Sequence, residues 1–407
     1  MIQLLNICNI SNRKSKYLLL TFLFSTSCFS SSEINSLIEQ NKLYENAYWS
    51  KLLHYRNGSS EIDSNNFFIS KDGKTDLKKE LFETINSLES GQNDVLCRFP
   101  LRVKWLKQNI PQLKKNIVPY SCPKLNEYLG AIDAKQVTMI FPTAHINSPA
   151  SMYGHTFLRV SSDEETPLIS NAINYAAKTT DTNGFIFAYK GLFGEYEGRY
   201  SILPYYEKIK EYNNLEQRDI WEYDLDLKQD EIDRLVLHAY ELKDVYSDYF
   251  FFKENCSYNI LWLLEIARSD LDLVSHFFLK TVPLDSIKIL KPYNLIKDSK
   301  FRYSSMKKMK HILEEKIENK EYLDSFVNDN EPLNEDLSID DKISYLDFKI
   351  SYLQYQRANN EYDKKEYLSK YLELLKQRST YNQSSNYDIK APKNPLDSHD
   401  SARVSFY

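Results

Sequence analysis

Glycine is scarce in this chain, with 9 residues in 407. No cluster of them matches the pattern in which a backbone wraps a phosphate, which argues against a nucleotide-cradling loop. An excess of basic charge is also missing: 52 Lys and Arg face 57 Asp and Glu, a net charge of −5. With no basic stripe and no interleaving of basic and aromatic residues, nothing points to nucleic acid as a partner. Past the N-terminal region no apolar run reaches the roughly 20 residues that a membrane-spanning helix needs. Cysteines number only five. Aromatic residues, by contrast, are plentiful, with 31 Tyr and 21 Phe, and the hydrophobic fraction is 42%. A chain of this length and composition can build two or three domains of packed helices and aromatic-lined surfaces.

The N-terminus reads as an export signal over residues 1–30. Arg13, Lys14 and Lys16 precede the apolar stretch Tyr17–Phe24, and small residues follow from Ser25 to Ser32. That order of charge, short apolar core and small exit residues predicts cleavage near Ser30. Ser25-Thr-Ser-Cys28 also resembles a lipoprotein cleavage box, with Ser25 where leucine is usual, so lipidation at Cys28 stays open. Export leaves Cys97, Cys122 and Cys256. In an oxidising compartment Cys97 and Cys122 are the natural disulfide pair, worth about 3 kcal/mol in the chain-entropy model. Cys256 is then the odd thiol, a candidate for reactivity.

The fold class expected is α+β. Residues 31–129 read as a helical module, with apolar spacing at Trp49, Leu52 and Leu53 and again over Leu77–Leu88. From 130 to 285 short strands are expected at Gln136–Phe141, His155–Val160, Leu168–Ala176, Gly184–Tyr189 and Tyr200–Pro204. Residues 286–380 return to helices. There Ile343, Leu346, Ile350 and Leu353 are answered by Tyr367, Tyr371 and Leu374, which predicts an antiparallel pair. Residues 381–407 form a polar tail.

The chemistry centres on Asp248-Tyr-Phe-Phe-Phe-Lys-Glu-Asn-Cys256, followed by Ile260, Leu261, Leu263 and Leu264 at helical spacing. Cys256 therefore falls at the first turn of a buried helix, where unpaired N–H groups favour a thiolate. The plainer reading is a small apolar plug. A nucleophilic thiolate needs a base. Of seven histidines, His145 and His155 lie in the polar, glycine-containing segment. His155 is preferred because it is expected inside a strand after Gly154, whose missing side chain would leave room for substrate. His54, His238, His276, His311 and His399 have no polar partners nearby in sequence.

Several ordered motifs then carry a resemblance. Pro149-Ala-Ser-Met-Tyr-Gly-His155-Thr-Phe-Leu-Arg-Val160, Asn174-Tyr-Ala-Ala, Lys190-Gly-Leu-Phe-Gly-Glu-Tyr-Glu-Gly198, Arg218-Asp-Ile-Trp-Glu-Tyr223 and Glu254-Asn-Cys-Ser257 together resemble the Lnb N-terminal periplasmic domain family. Trp49-Ser-Lys-Leu-Leu-His-Tyr55 and Phe67-Phe-Ile-Ser-Lys-Asp-Gly73 look like the helical module that precedes this domain in relatives. The resemblance implies a circularly permuted papain-like catalytic domain, similar to NlpC and lecithin:retinol acyltransferase enzymes, with a small antiparallel sheet. It implies Cys256 as nucleophile, His155 as base and Asn174 as the group orienting the ring, a role for which His145 competes. Asn255 and the Cys256 backbone N–H are candidate oxyanion donors, and Ser151, Tyr153 and Arg159 are expected to shape the substrate site.

The activity implied is a periplasmic cysteine-dependent acyltransferase, of the lipoprotein N-acyltransferase type, working through a thioester. Its partners would be a phospholipid acyl donor, a lipoprotein or other amine acceptor, and a membrane surface, with placement in the periplasm or beside the outer membrane. No cofactor or metal is called for, since zinc at His145, His155 and Cys256 fits no metal spacing. The alternatives are an NlpC-like cell-wall peptidase or amidase, and a non-catalytic envelope scaffold. Two departures stand out: the transmembrane helices of the acyltransferase members are missing from this sequence, and Pro392–Tyr407 resembles the opening of a C-terminal β-barrel.

Overall fold

The computed structural model describes residues 31–91, 93–117, 120–143, 154–162, 167–181, 183–328, 331–359, 361–385 and 387–399. The expected signal with Cys8 and Cys28, the site candidates His145, Ser151 and Tyr153, and the last residues of the tail lie outside them.

Two short strands, β1 (Tyr55–Arg56) and β2 (Ser59–Ser60), pair as a hairpin in the N-terminal module. The main sheet has seven strands among the described residues: β3 (Gln136–Pro142), β4 (Phe157–Ser161), β5 (Asn171–Lys178), β6 (Tyr196–Pro204), β7 (Ile220–Leu225), β8 (Tyr246–Tyr249) and β9 (Ile296–Arg302). Their order is β8-β6-β5-β4-β3-β7-β9, antiparallel throughout. The protein is thus mixed helix and sheet, as the sequence implied.

The two-residue period of a strand divides its side chains between two buried faces. Val137, Met139, Leu158, Val160, Ile173 and Tyr175 join the main core on one face. Ile140, Phe157 and Ala172 pack on the other with Tyr205, Tyr212 and Ile220. On the first face lies the helix Cys256–Ala267, every residue of which is buried. The helix Gln229–Leu242 covers it in turn. Each fully buried Leu or Ile of such a helix contributes about 1.5–3 kcal/mol relative to exposure.

Residues of the N-terminal module share this same core. Trp49 stacks on Trp105 at 5.4 Å, and the Trp262 indole N–H of the cysteine helix donates to the Lys51 carbonyl at 3.0 Å. His54 and His238 are buried and face each other at 3.0 Å. His238 in turn bonds Glu241, three residues on, at 2.9 Å, contrary to the expectation that it has no polar partner nearby in sequence. The other Glu241 oxygen accepts the backbone N–H groups of Leu101 and Arg102, at the start of the helix Pro100–Asn109. A carboxylate there satisfies orphan donors at the positive end of the helix dipole. Partners 184 residues apart leave no local sequence signal.

Cys97 and Cys122 form a disulfide, as expected from the export reading. The helices Ile339–Ala358 and Lys364–Ser379 pack as the antiparallel pair that their spacing predicts, with Arg378 on Asp347 and Gln354 beside Tyr371. Their core is separate from the main one.

One expected strand is a helix. Gly184–Tyr189 lies in the helix Gly184–Phe193, which connects β5 to β6. Asn183 caps it by accepting the N–H groups of Phe185 and Ile186, and Gly194, at φ +74°, ends it. Cap and left-handed stop outweigh the strand-like aromatic composition. Strands β7 and β9 carry weaker signals; β9, Ile-Lys-Asp-Ser-Lys-Phe-Arg, follows the expected domain boundary at 285 and forms a charged sheet edge.

Candidate active site

The site forms where β4 begins and the cysteine helix starts. Asn255 is the N-cap: its side-chain oxygen accepts the Tyr258 N–H at 3.2 Å. Cys256 is the first residue of the helix, buried, and the free cysteine among the described residues. His155 precedes β4 rather than lying within it, since the strand starts at Phe157. Thr156, between them, latches the two elements together. Its hydroxyl meets the Ser257 hydroxyl at 2.8 Å, and its backbone N–H reaches the Cys256 sulfur.

The alternation along the sheet puts His155 and Asn174 on the same face. The His155 Nε2 and Asn174 Oδ1 are 2.7 Å apart, and the imidazole packs near the rings of Phe157 and Tyr212. Burial of Cys256 opposes its ionisation. The charge and hydrogen bond of His155, the Thr156 N–H and the Ser257 hydroxyl outweigh that cost and bring the thiol down to about 7. A thiol with that value is half ionised at neutral pH.

Tyr249, at the end of β8, is a neighbour that sequence reasoning missed. Its buried phenol lies beside Cys256, close enough for the two groups to act on each other electrostatically. Burial first, and the adjacent Cys256 charge second, push the phenol well above its ordinary range, so it stays a proton donor. The signal available in sequence was the run Tyr249–Phe252 just before the cysteine, where one aromatic carries a hydroxyl.

Other expected roles change. Both Asn255 amide hydrogens are used, on the carbonyls of Phe251 (3.0 Å) and Thr281 (2.7 Å), so its side chain builds the helix start and has no hydrogen left for an oxyanion. Gly154, at φ +98°, leaves no open space: a Cβ there would sit 2.9 Å from the Phe141 ring. Its role is backbone conformation. Arg159 is buried and bound to Glu222 (2.5 Å) and Thr138 (2.9 Å) on neighbouring strands. It forms part of an ion cluster with Arg302 and is not among the groups that touch the thiol.

The N-terminal module reaches the same helix. Tyr258 donates to Glu61 at 2.8 Å and accepts from Arg56 at 2.8 Å. Burial, with the nearby Glu254 charge, pushes Glu61 up to about 7. Glu254, two residues before the thiol, is likewise pushed up to about 7, chiefly by burial.

Residues 124–293 match the family model of the Lnb N-terminal periplasmic domain. Residues 41–109, which supply Arg56 and Glu61, match a domain of unknown function, DUF7843. No curated protein and no solved structure gives a significant match. The Lnb-like stretch, residues 124–293, holds His155, Asn174 and Cys256.

Proposed function

We propose that the chain is a periplasmic cysteine acyltransferase that carries an acyl group as a thioester on Cys256, with His155 as general base and acid. The observation that supports this reading most is a buried thiol on the first residue of a helix, acted on by the His155 imidazole that bonds Asn174 at 2.7 Å. A structural plug needs neither partner.

The Cys256 thiolate attacks the ester carbonyl of a phospholipid. A carbon–sulfur bond forms, and the tetrahedral oxyanion is met by the protonated Tyr249 phenol and the helix N-terminus. The ester carbon–oxygen bond then breaks, and protonated His155 gives its proton to the departing lysophospholipid alkoxide. An amine of a lipoprotein or other acceptor attacks the thioester in the second half. His155 takes the amine proton, the carbon–sulfur bond breaks, and an amide and the free thiolate result. The outer face of the periplasm's inner membrane or the outer membrane supplies both lipid and acceptor.

The test uses a phospholipid labelled in its acyl chain, with an N-terminal diacylglyceryl peptide as acceptor. Release of lysophospholipid together with label on the peptide amine is expected, and both disappear in Cys256→Ala. Cleavage of peptidoglycan stem peptides, with no acyl release, would replace this reading by a cell-wall peptidase.

A further inference from the structure

The helix Gly184–Phe193 presents its apolar side outwards. Its sequence, Gly-Phe-Ile-Phe-Ala-Tyr-Lys-Gly-Leu-Phe, holds one charged residue. Phe187 and Gly191 form the packed side: the Phe187 ring lies 5.1 Å from that of Phe251, and a Cβ on Gly191 would strike the Phe251 ring. At 3.6 residues per turn, Phe185, Ile186, Tyr189, Leu192 and Phe193 fall together on the remaining side. All five are exposed, Phe185 by 82%. A helix on a protein surface normally turns its apolar stripe to the core and its polar side to water. This one packs Phe187 and Gly191 inward and turns its wider apolar side to water as well.

A second apolar strip lies beside it. Phe252, Phe278 (77%) and Leu279 (75%) are exposed. The strips are joined through the backbone, since the Phe251 N–H donates to the Gly191 carbonyl at 2.8 Å and the Thr281 N–H to the Phe252 carbonyl at 2.6 Å. Asn255 clasps the same segments, bonding the carbonyls of Phe251 and Thr281. The collar is therefore built around the residue that precedes Cys256. Exposed Lys253 and Lys280 stand within it, next to Phe252 and Leu279.

We propose that this collar is a membrane-docking surface whose occupant is the headgroup–acyl boundary of a phospholipid bilayer containing anionic lipid. Aromatic and aliphatic side chains interspersed with lysines suit that boundary, where rings enter the acyl edge and ammonium groups stay with phosphate. A protein partner would demand complementary shape, whereas a fluid lipid surface accepts a convex apolar helix. What docking achieves rests on the acyl-transfer reading: it holds the thiol at the surface from which an ester chain can be drawn. Docking itself is separable from chemistry.

The full chain is mixed with vesicles of phosphatidylcholine, alone or with phosphatidylglycerol, and separated by flotation. The wild type is expected to float, more completely with phosphatidylglycerol. Phe185→Asp combined with Phe278→Asp should lower the floated fraction by about tenfold or more, since two interfacial anchors are lost. Both positions are exposed, and an unchanged Cys256 alkylation rate verifies that the variant is folded. Cys256→Ala should float like the wild type; if it floats without acyl transfer ever being seen in the wild type, docking stands and the acyl-transfer reading fails. A wild type that stays with the soluble fraction on both vesicles overturns the proposal. So does a double variant that floats unchanged, or one that turns a non-floating dimer into a monomer.

Discussion

His155→Ala tests the electrostatics of the site in isolation from any substrate. In the folded protein the Cys256 thiol sits at about 7 against an ordinary 9.0, and His155 is the largest of the groups that lower it. Without the imidazole, burial is left acting against ionisation, so the thiol should return to 9 or above. Two units correspond to about 2.7 kcal/mol of differential stabilisation, and at pH 7 the thiolate fraction falls from about one half to about 1%, roughly 50-fold. The assay is the rate of alkylation by iodoacetamide as a function of pH. Cys97 and Cys122 are paired, so among the described residues the signal comes from Cys256. The wild-type profile should inflect near 7 and the variant profile near 9 or higher, the two converging in strong alkali. A variant that still inflects near 7 would refute the reasoning, because the helix N-terminus alone would then be setting the thiol.

Asn174→Ala frees the His155 ring, and we expect about a 10- to 100-fold loss in acyl transfer from the misplaced base, with a smaller shift of the alkylation profile. Tyr249→Phe removes the phenol beside Cys256 while keeping the packed ring; about a 100-fold fall in kcat is expected, with melting temperature nearly unchanged. Replacing Cys97 and Cys122 by serine opens a loop spanning 25 residues of separation. It should cost about 3 kcal/mol in denaturant unfolding and leave the Cys256 alkylation profile intact. His54 is held well below its ordinary 6.5 by burial, with His238 and Arg102 adding to it. It is neutral when folded and takes up a proton on unfolding, so its contribution is present above pH 6.5 and is lost as pH falls below that value. Melting temperatures followed downward from neutral pH should drop from about 6.5 in the wild type, and His54→Phe should flatten that part of the curve.

Features of the candidate site were legible where the signal was local. A polar turn followed by an apolar period placed a helix start at Cys256, and the structure begins the helix on that residue. Reading the N-terminus as an export signal singled out Cys97 and Cys122 as a pair, and the pair is bonded. His155, just before β4, lies 2.7 Å from Asn174 on β5, an approach that the family resemblance implied. What stayed hidden depends on distant partners or on surfaces. Arg159 looked available in sequence because Glu222, 63 residues on, is brought to it only by the pairing of β4, β3 and β7. Gly184–Tyr189, in the helix Gly184–Phe193, read as a strand because aromatic, apolar residues normally signal burial, and here most of them face outwards. The charged strand β9 gains its place from pairing with β7, not from its own composition.

The most direct measurement is intact-protein mass spectrometry after brief exposure to phospholipid in the absence of any amine acceptor. The account requires an added mass equal to one acyl chain, located on Cys256, discharged by hydroxylamine and missing from Cys256→Ala. An adduct that persists in Cys256→Ala, or a wild-type thiol that stays unmodified while alkylating readily, would contradict it.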